Sequence, residues 1–180
     1  SLRSVLLLGI PLFGAFNLYS MSDGASFDLA LFNFELALLR LDKLSLIFGY
    51  VFHLAAFIAV IYSIHLRDKV QHITALLYAG SALAAVFAGD LITLFLAWEA
   101  LTLSSVILIL ARRQPSAQAA AIRYLVAQLI SGLLLLAGIL VRFNELGSTE
   151  FDFIGIDGPG GKLILLAFGI KCAFPLLHNW

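Results

Sequence analysis

A succession of apolar runs separated by short polar segments, over residues 2–20, 44–66, 73–88, 90–110, 119–141 and 162–180, leaves this chain few ways to fold. A helix crosses the roughly 30 Å hydrocarbon layer with about 20 apolar residues, and several of these runs meet that length. Inside lipid every backbone N–H and C=O must find a partner within the protein, so only helices and closed barrels can span. The runs are continuous rather than alternating, which selects helices. The chain is 62% hydrophobic and 12% charged, with a mean hydropathy of +1.02; soluble domains have roughly 45–50% and 25%. The expected fold is an all-α polytopic membrane protein forming a single transmembrane domain, residues 1–180, with no soluble domain, linker or internal repeat. Formal net charge is zero and no basic run occurs, which argues against nucleic acid as a partner. The lone Cys172 excludes an intrachain disulfide and a cysteine-bound zinc or iron–sulfur cluster, and no cofactor or metal is expected.

In chain order, residues 2–20 are interrupted by Gly9, Pro11 and Gly14 and include Arg3 near their start. A signal peptide and a first span both fit this stretch; with no clear small-residue cleavage site, the span is the preferred reading. Residues 21–42 carry Asp23, Asp28, Glu35, Arg40 and Asp42, and the alternation in FDLALFNFELAL predicts a hairpin or interfacial segment outside the membrane. His53 falls near the middle of the 44–66 run; a buried His can relay protons, but a hydrogen-bonded structural role is the commoner one. In the 73–88 run Gly80, Ala84 and Ala88 recur every fourth residue, a pattern that lets helix backbones approach closely.

Loop charges give an orientation. If spans alternate, Arg3, Arg67, Lys69, Arg112 and Arg113 fall on one side, and Asp90, Glu145, Glu150, Asp152 and Asp157 on the other. The positive-inside rule makes the first side cytoplasmic.

Two charges lie deep within apolar sequence. Glu99 sits nine residues after Asp90 in DLITLFLAWEALTLSSVILIL, about 13 Å into the membrane by helical rise. A charge at mid-membrane costs about 2.5–3.5 kcal/mol even on insertion scales, so such residues face a protein interior or a wet pathway and mark transport. Thr102 follows one turn later on the same helix. Lys171 lies about ten residues into GGKLILLAFGIKCAFPLLHNW. Pro175, four residues on, has no N–H to bond the Lys171 carbonyl, so the helix is expected to break beside the lysine. Breaks at membrane depth are tolerated where they line a cavity, and they recur in transporter sites. His178, three residues past Pro175, is placed either to continue a polar path or to cap the broken helix. At an effective dielectric of about 20 and an assumed separation of about 7 Å, Glu99 and Lys171 would be coupled by ~2.4 kcal/mol. Protonating Glu99, or moving the pair apart, would then release the lysine proton.

GDLITLFLAWEALTLSSVILI and LAFGIKCAFPLLHNW resemble the fifth and seventh helices of the antiporter-like membrane subunits shared by respiratory complex I, membrane-bound hydrogenases and Mrp-type cation/proton antiporters. The helix-five pattern falls on Trp98, Glu99, Ser104 and Ser105, and the helix-seven pattern on Gly169, Lys171, Phe174, Pro175, His178 and Trp180. LRLDKLSLIF is similar to the family's third helix entrance. Around Glu99 and Lys171 the wording looks closest to the D-type Mrp subunit.

The resemblance implies the N-terminal part of the antiporter-like bundle, in a multi-pass protein of a prokaryotic plasma membrane. It implies a proton-translocating subunit of a multisubunit Na+/H+ antiporter, with Glu99 and Lys171 as the transferring pair and Pro175, His178, His53 and Thr102 as secondary positions. The alternative is a proton-pumping membrane subunit of an NADH:quinone oxidoreductase-like or hydrogenase-like complex, with any redox centre in another subunit. Expected partners are other membrane subunits, protons, Na+ and the bilayer. Family members contain two inverted repeats, and this chain is expected to hold only part of the first.

Overall fold

A computed structural model describes residues 2–21, 24–31, 34–151 and 153–175. Its elements are α1 (Leu2–Ser20), a hairpin of β1 (Ser26–Leu31) and β2 (Phe34–Arg40), then α2 (Lys43–Ser63), α3 (Lys69–Phe87), α4 (Leu91–Leu110), α5 (Pro115–Leu146) and α6 (Pro159–Lys171). Five of these helices, α1 to α5, are long and apolar enough to cross a membrane. Each helix packs on the next in sequence, so the bundle grows as a chain of neighbours.

Hydropathy is arranged for lipid rather than water. Leu54, Ile58, Leu103, Ile122 and Leu133 point outward and are exposed, whereas Thr102, Gln128 and Ser131 are buried at 1% exposure or less. Lipid tails solvate the apolar faces, while the polar side chains find partners between helices. The deepest apolar cluster joins Leu91 and Trp98 of α4, Leu135 and Ile139 of α5, and Ile164 and Ala167 of α6.

Aspartates start three of the helices. Asp42 accepts from the backbone N–H of Leu44 and Ser45, and Ser45 Oγ accepts from the Asp42 N–H, closing a capping box. The Ser45 backbone N–H holds the Asp42 carboxyl below the usual carboxylate range. Asp68 caps α3 and is bridged by Arg113 at 3.0 Å. Arg3 donates to the Ile64 carbonyl at 3.0 Å, so Arg3, the α2–α3 connection and the α4–α5 connection gather at one end of the bundle.

Asp90 organises the opposite end. Its Oδ1 accepts from the N–H of Ile92 and Thr93, and its Oδ2 from the Thr93 hydroxyl and, at 2.7 Å, from the N–H of Ala37 on β2. The Gly89 N–H returns a bond to the Ala37 carbonyl, and the Leu91 N–H donates to the Thr149 carbonyl. One 2%-exposed carboxylate thereby ties the hairpin to α4, beside the α5–α6 connection. The expected hairpin is present, antiparallel from Ser26↔Arg40 to Leu31↔Phe34 with a bulge at Phe27/Asp28. Leu39 of β2 packs against a cluster of Leu18 near the end of α1, Leu41 just before α2, and Phe87 at the end of α3.

Against the runs read in sequence, α2 ends earlier, at Ser63, α6 begins earlier, at Pro159, and stops at Lys171, and α3 and α5 are longer. α3 starts at Lys69 rather than 73, because Asp68 supplies the cap that lets a polar turn join the helix. α5 covers 32 residues instead of 119–141: Pro115 occupies its first turn, where a missing N–H does no harm, and Gly147, left-handed at φ 71°, terminates it. Hydropathy marks where a helix is greasy, whereas caps mark where it ends.

Replacing Asp90 with Ala removes a helix cap and a buried interelement bond together. The expected loss is about 2 kcal/mol or more, read as a lower thermal midpoint of the protein in detergent, with Asp90→Asn losing less. An unchanged midpoint for Asp90→Ala would contradict the role given to this carboxylate.

Candidate proton-transfer site

The site is built by α4, α5 and α6. Small residues let α5 and α6 approach: a Cβ on Gly138 would lie 2.7 Å from Ile164 Cγ1 and 2.9 Å from the Gly160 carbonyl. The Ser131 hydroxyl donates across to the Ala167 carbonyl at 2.8 Å. α6 reaches α4 through Trp98, whose ring meets Phe168 edge-on with centroids 4.8 Å apart.

Lys171 is the last residue of α6. Beyond it the chain closes a Schellman turn: the Phe174 N–H bonds the Gly169 carbonyl at 2.9 Å, and the Ala173 N–H bonds the Ile170 carbonyl at 3.2 Å. The left-handed position of that turn belongs to Ala173, at φ 55°, where glycine is the usual occupant. Absence of a side chain at Gly169 lets the Phe174 ring lie against the helix. Pro175 follows directly, so the break expected beside the lysine is present, and its form is a left-handed cap.

At that break the ammonium is turned towards α4. Lys171 Nζ donates to the Trp98 carbonyl at 3.1 Å and to Thr102 Oγ1 at 2.9 Å, and it lies 4.8 Å from the centre of the Trp98 ring. The Thr102 hydroxyl also bonds the Trp98 carbonyl, at 3.0 Å. Two hydrogen bonds and a cation–π contact replace part of the hydration that a lysine loses at this depth. Glu99 adjoins Trp98 in sequence but projects to α5, where its carboxylate lies so close to Gly132 that a Cβ there would overlap it. No Glu99–Lys171 ion pair within 4 Å forms; the only such bridge among the described residues is Arg113–Asp68.

Of the residues singled out in sequence, Lys171 and Thr102 meet, Glu99 lies one turn earlier on α4 but faces α5, and Pro175 is just past the break. His53 lies elsewhere: its Nδ1 is 2.7 Å from the Gly49 carbonyl of its own helix, and its ring packs on Gly14 of α1. His178 lies outside the described residues. Gly132 and the Trp98 carbonyl are parts of the site that sequence reasoning misses. The stretch of α5 from Ser131 to Gly138, SGLLLLAG, carries a signal in its small residues, but nothing in the sequence says which helix they face.

Two substitutions probe this geometry through stability. Gly132→Ala overpacks the Glu99 carboxylate and is expected to lower stability by about 1–3 kcal/mol. Ala173→Gly relieves the left-handed position and is expected to raise it by up to about 1 kcal/mol. Thermal midpoints of the purified variants check both, and a neutral Gly132→Ala would contradict the described carboxylate position.

Comparison with known proteins agrees with this architecture. The family model described as NADH:quinone oxidoreductase/Mrp antiporter, TM, matches residues 88–180, which hold Glu99, Thr102, Lys171 and Pro175. NADH-quinone oxidoreductase subunit N of Chloroflexus aggregans is 26% identical over 195 aligned positions, covering 97% of this chain and 37% of that protein. An uncharacterized protein of Mycobacterium tuberculosis is 30% identical over 110 residues, 58% of this chain and 17% of its own. Among solved structures, a chain of the membrane-bound sulfane sulfur reductase, an archaeal respiratory membrane complex, superposes with a TM-score of 0.81 at 26% identity, covering 98% of this chain and 30% of its own. A chain of respiratory complex I from Thermus thermophilus shares the fold with a TM-score of 0.79 at 21% identity, covering 98% and 40%. The chain thus spans well under half the length of these relatives. With the family match covering more than half of its residues, and with the bundle of these membrane subunits, the chain belongs to the NADH:quinone oxidoreductase/Mrp antiporter transmembrane family.

Proposed function

We propose that this chain carries proton-translocating machinery of an antiporter-like membrane subunit, with Glu99 and Lys171 as the groups that exchange charge. The observation that carries the reading is the placement of Lys171 at a helix break, bonded to Trp98 and Thr102 of the Glu99 helix while Glu99 itself faces α5. The two opposite charges sit on packed parts of the bundle and are not locked in an ion pair. When Glu99 is ionised, its field favours the ammonium form of Lys171; when Glu99 takes a proton, that support is withdrawn and Lys171 gives up its proton more readily. Thr102 and the Trp98 carbonyl hold the nitrogen in place through either state. The chain works in a multi-pass subunit of a bacterial plasma membrane, with the Arg67, Lys69, Arg112 and Arg113 end facing the cytoplasm.

Two energy sources fit this machinery. The wording around Glu99 and Lys171 supports exchange against Na+ in a D-type Mrp subunit. The relative in Chloroflexus aggregans, NADH-quinone oxidoreductase subunit N, supports a pump driven by redox chemistry in partner subunits. In either case the partners are further membrane subunits, and any redox centre belongs to them.

Proton and Na+ flux in proteoliposomes holding the full-length protein in its complex tests the proposal. Glu99→Gln and Lys171→Met are each expected to reduce proton flux at least about a hundredfold with assembly intact. Wild-type flux in both variants would make the buried charges structural. Flux that requires Na+ selects the antiporter reading, and flux that requires electron donors selects the redox-driven one.

A further inference from the structure

Away from the buried charges, a groove of about 440 Å³ opens between α2 and α3, with Leu108 of α4 in its wall. Alanines make it: Ala55, Ala56 and Ala59 line it from α2, and Ala75, Ala79 and Ala82 from α3, side chains too short to fill the space. Its polar lining is confined to Ser63, His72 and Tyr78. The Ser63 hydroxyl already donates to the Ala59 carbonyl at 2.8 Å, and His72 Nε2 lies 3.0 Å from the Leu66 carbonyl. Water in a cavity needs two to four polar partners, so this lining suits hydrocarbon.

The groove is one leaflet deep. Ser63 and His72 sit at the end of the α2–α3 connection, and Phe52 and Ala82 mark the inner end, about 15 Å further along the two helices by helical rise. The hydrocarbon layer is about 30 Å thick, so the groove runs from the interface to the midplane and stops there. An acyl chain has that reach, whereas a neighbouring transmembrane helix would call for a seam across the full thickness.

The mouth is cationic. Arg67, Asp68, Lys69, Val70 and Arg113 line an open hollow at the same end of the bundle. His72 links the two, because the Leu66 carbonyl that it meets immediately precedes Arg67. The charge of Asp68 is already used: its Oδ1 accepts from the N–H of Val70 and Gln71, and its Oδ2 is bridged by Arg113 at 3.0 Å. Arg67 and Lys69 are exposed and form no ion pair among the described residues. Clusters of Lys and Arg at the ends of membrane helices attract anionic headgroups, and guanidinium and ammonium groups bond phosphate oxygens. Loop charges place this end at the cytoplasmic leaflet, whose surface is the negative one.

We propose that this groove binds one anionic diacyl phospholipid, with an acyl chain along the alanines of α2 and α3 and the phosphate between Arg67, Lys69 and Arg113. A dry channel of leaflet depth ending in unpaired cations matches a molecule whose phosphate and hydrocarbon are joined at the interface. The bound lipid ties the α2–α3 connection to the α4–α5 connection, fastening the end of α4 opposite Asp90. The inference stands on the membrane-spanning bundle and not on the proton-translocation reading.

The test uses the full-length complex, stripped of lipid in detergent and incubated with phosphatidylglycerol that carries a photoreactive diazirine midway along one acyl chain. After irradiation, peptide mass spectrometry locates the label. It is expected on residues 52–63 and 72–82, with unlabelled phosphatidylglycerol competing at about tenfold lower concentration than phosphatidylcholine of the same chains. Arg67→Gln combined with Lys69→Gln is expected to cut this labelling about tenfold or more at subsaturating lipid. Ala79→Leu, which fills the groove, is expected to abolish it while label elsewhere on the complex is unchanged. Equal competition by the two lipids overturns the proposal, since the groove then takes any hydrocarbon. Absence of label in the groove overturns it as well, the face then being covered by protein within the complex. Should the double variant fail to assemble, Ala79→Leu and the competition on wild type decide between the same outcomes.

Discussion

A lysine ammonium held inside a helix bundle is the constraint around which this structure is arranged. Removed from water, it must be given acceptors by the protein, and each acceptor dictates part of the architecture. The Trp98 carbonyl and Thr102 hydroxyl require α4 to lie within reach of the end of α6. That approach requires the edge-on Trp98–Phe168 contact and small residues where α5 meets α6. α6 stops at Lys171. Ala173 accepts a left-handed conformation to make that stop.

Glu99 is placed by a different device. Its carboxylate is accommodated by the missing side chain of Gly132, and it is directed away from the cation that would otherwise neutralise it. A direct ion pair would trap both charges, since each would hold the other's protonation state fixed. Without that pair, the proposed exchange leaves each group free to change state. The capping carboxylate of Asp90 sets the depth of Glu99, because α4 begins where Asp90 binds the hairpin.

Much of this is legible in the sequence, for identifiable reasons. The spans follow from hydropathy, the hairpin from alternation in FDLALFNFELAL, and the break from Pro175 following Lys171. Glu99 and Lys171 stand out because a charge in an apolar run has few benign explanations. Thr102 follows from helical spacing alone. What the sequence withholds is the pairing of faces between helices: that Glu99 faces Gly132, that Lys171 bonds a backbone carbonyl, and that Ser131 bonds the Ala167 carbonyl. A carbonyl has no letter in a sequence, and a glycine does not announce its neighbour. Hydropathy also misplaces helix ends where polar turns extend α3 and α5, since it does not register caps such as Asp68 and Gly147.

The proposed charge exchange requires Glu99 and Lys171 to sense each other's charge without being ion-paired. Infrared difference spectroscopy of the full-length protein across a pH series reads that coupling, with the carboxyl band assigned by its loss in Glu99→Gln. Lys171→Met is expected to shift the titration of that band, because a positive charge has been taken from its surroundings. A band that titrates identically with and without Lys171 would show that the two groups are uncoupled, and the site as described could not work.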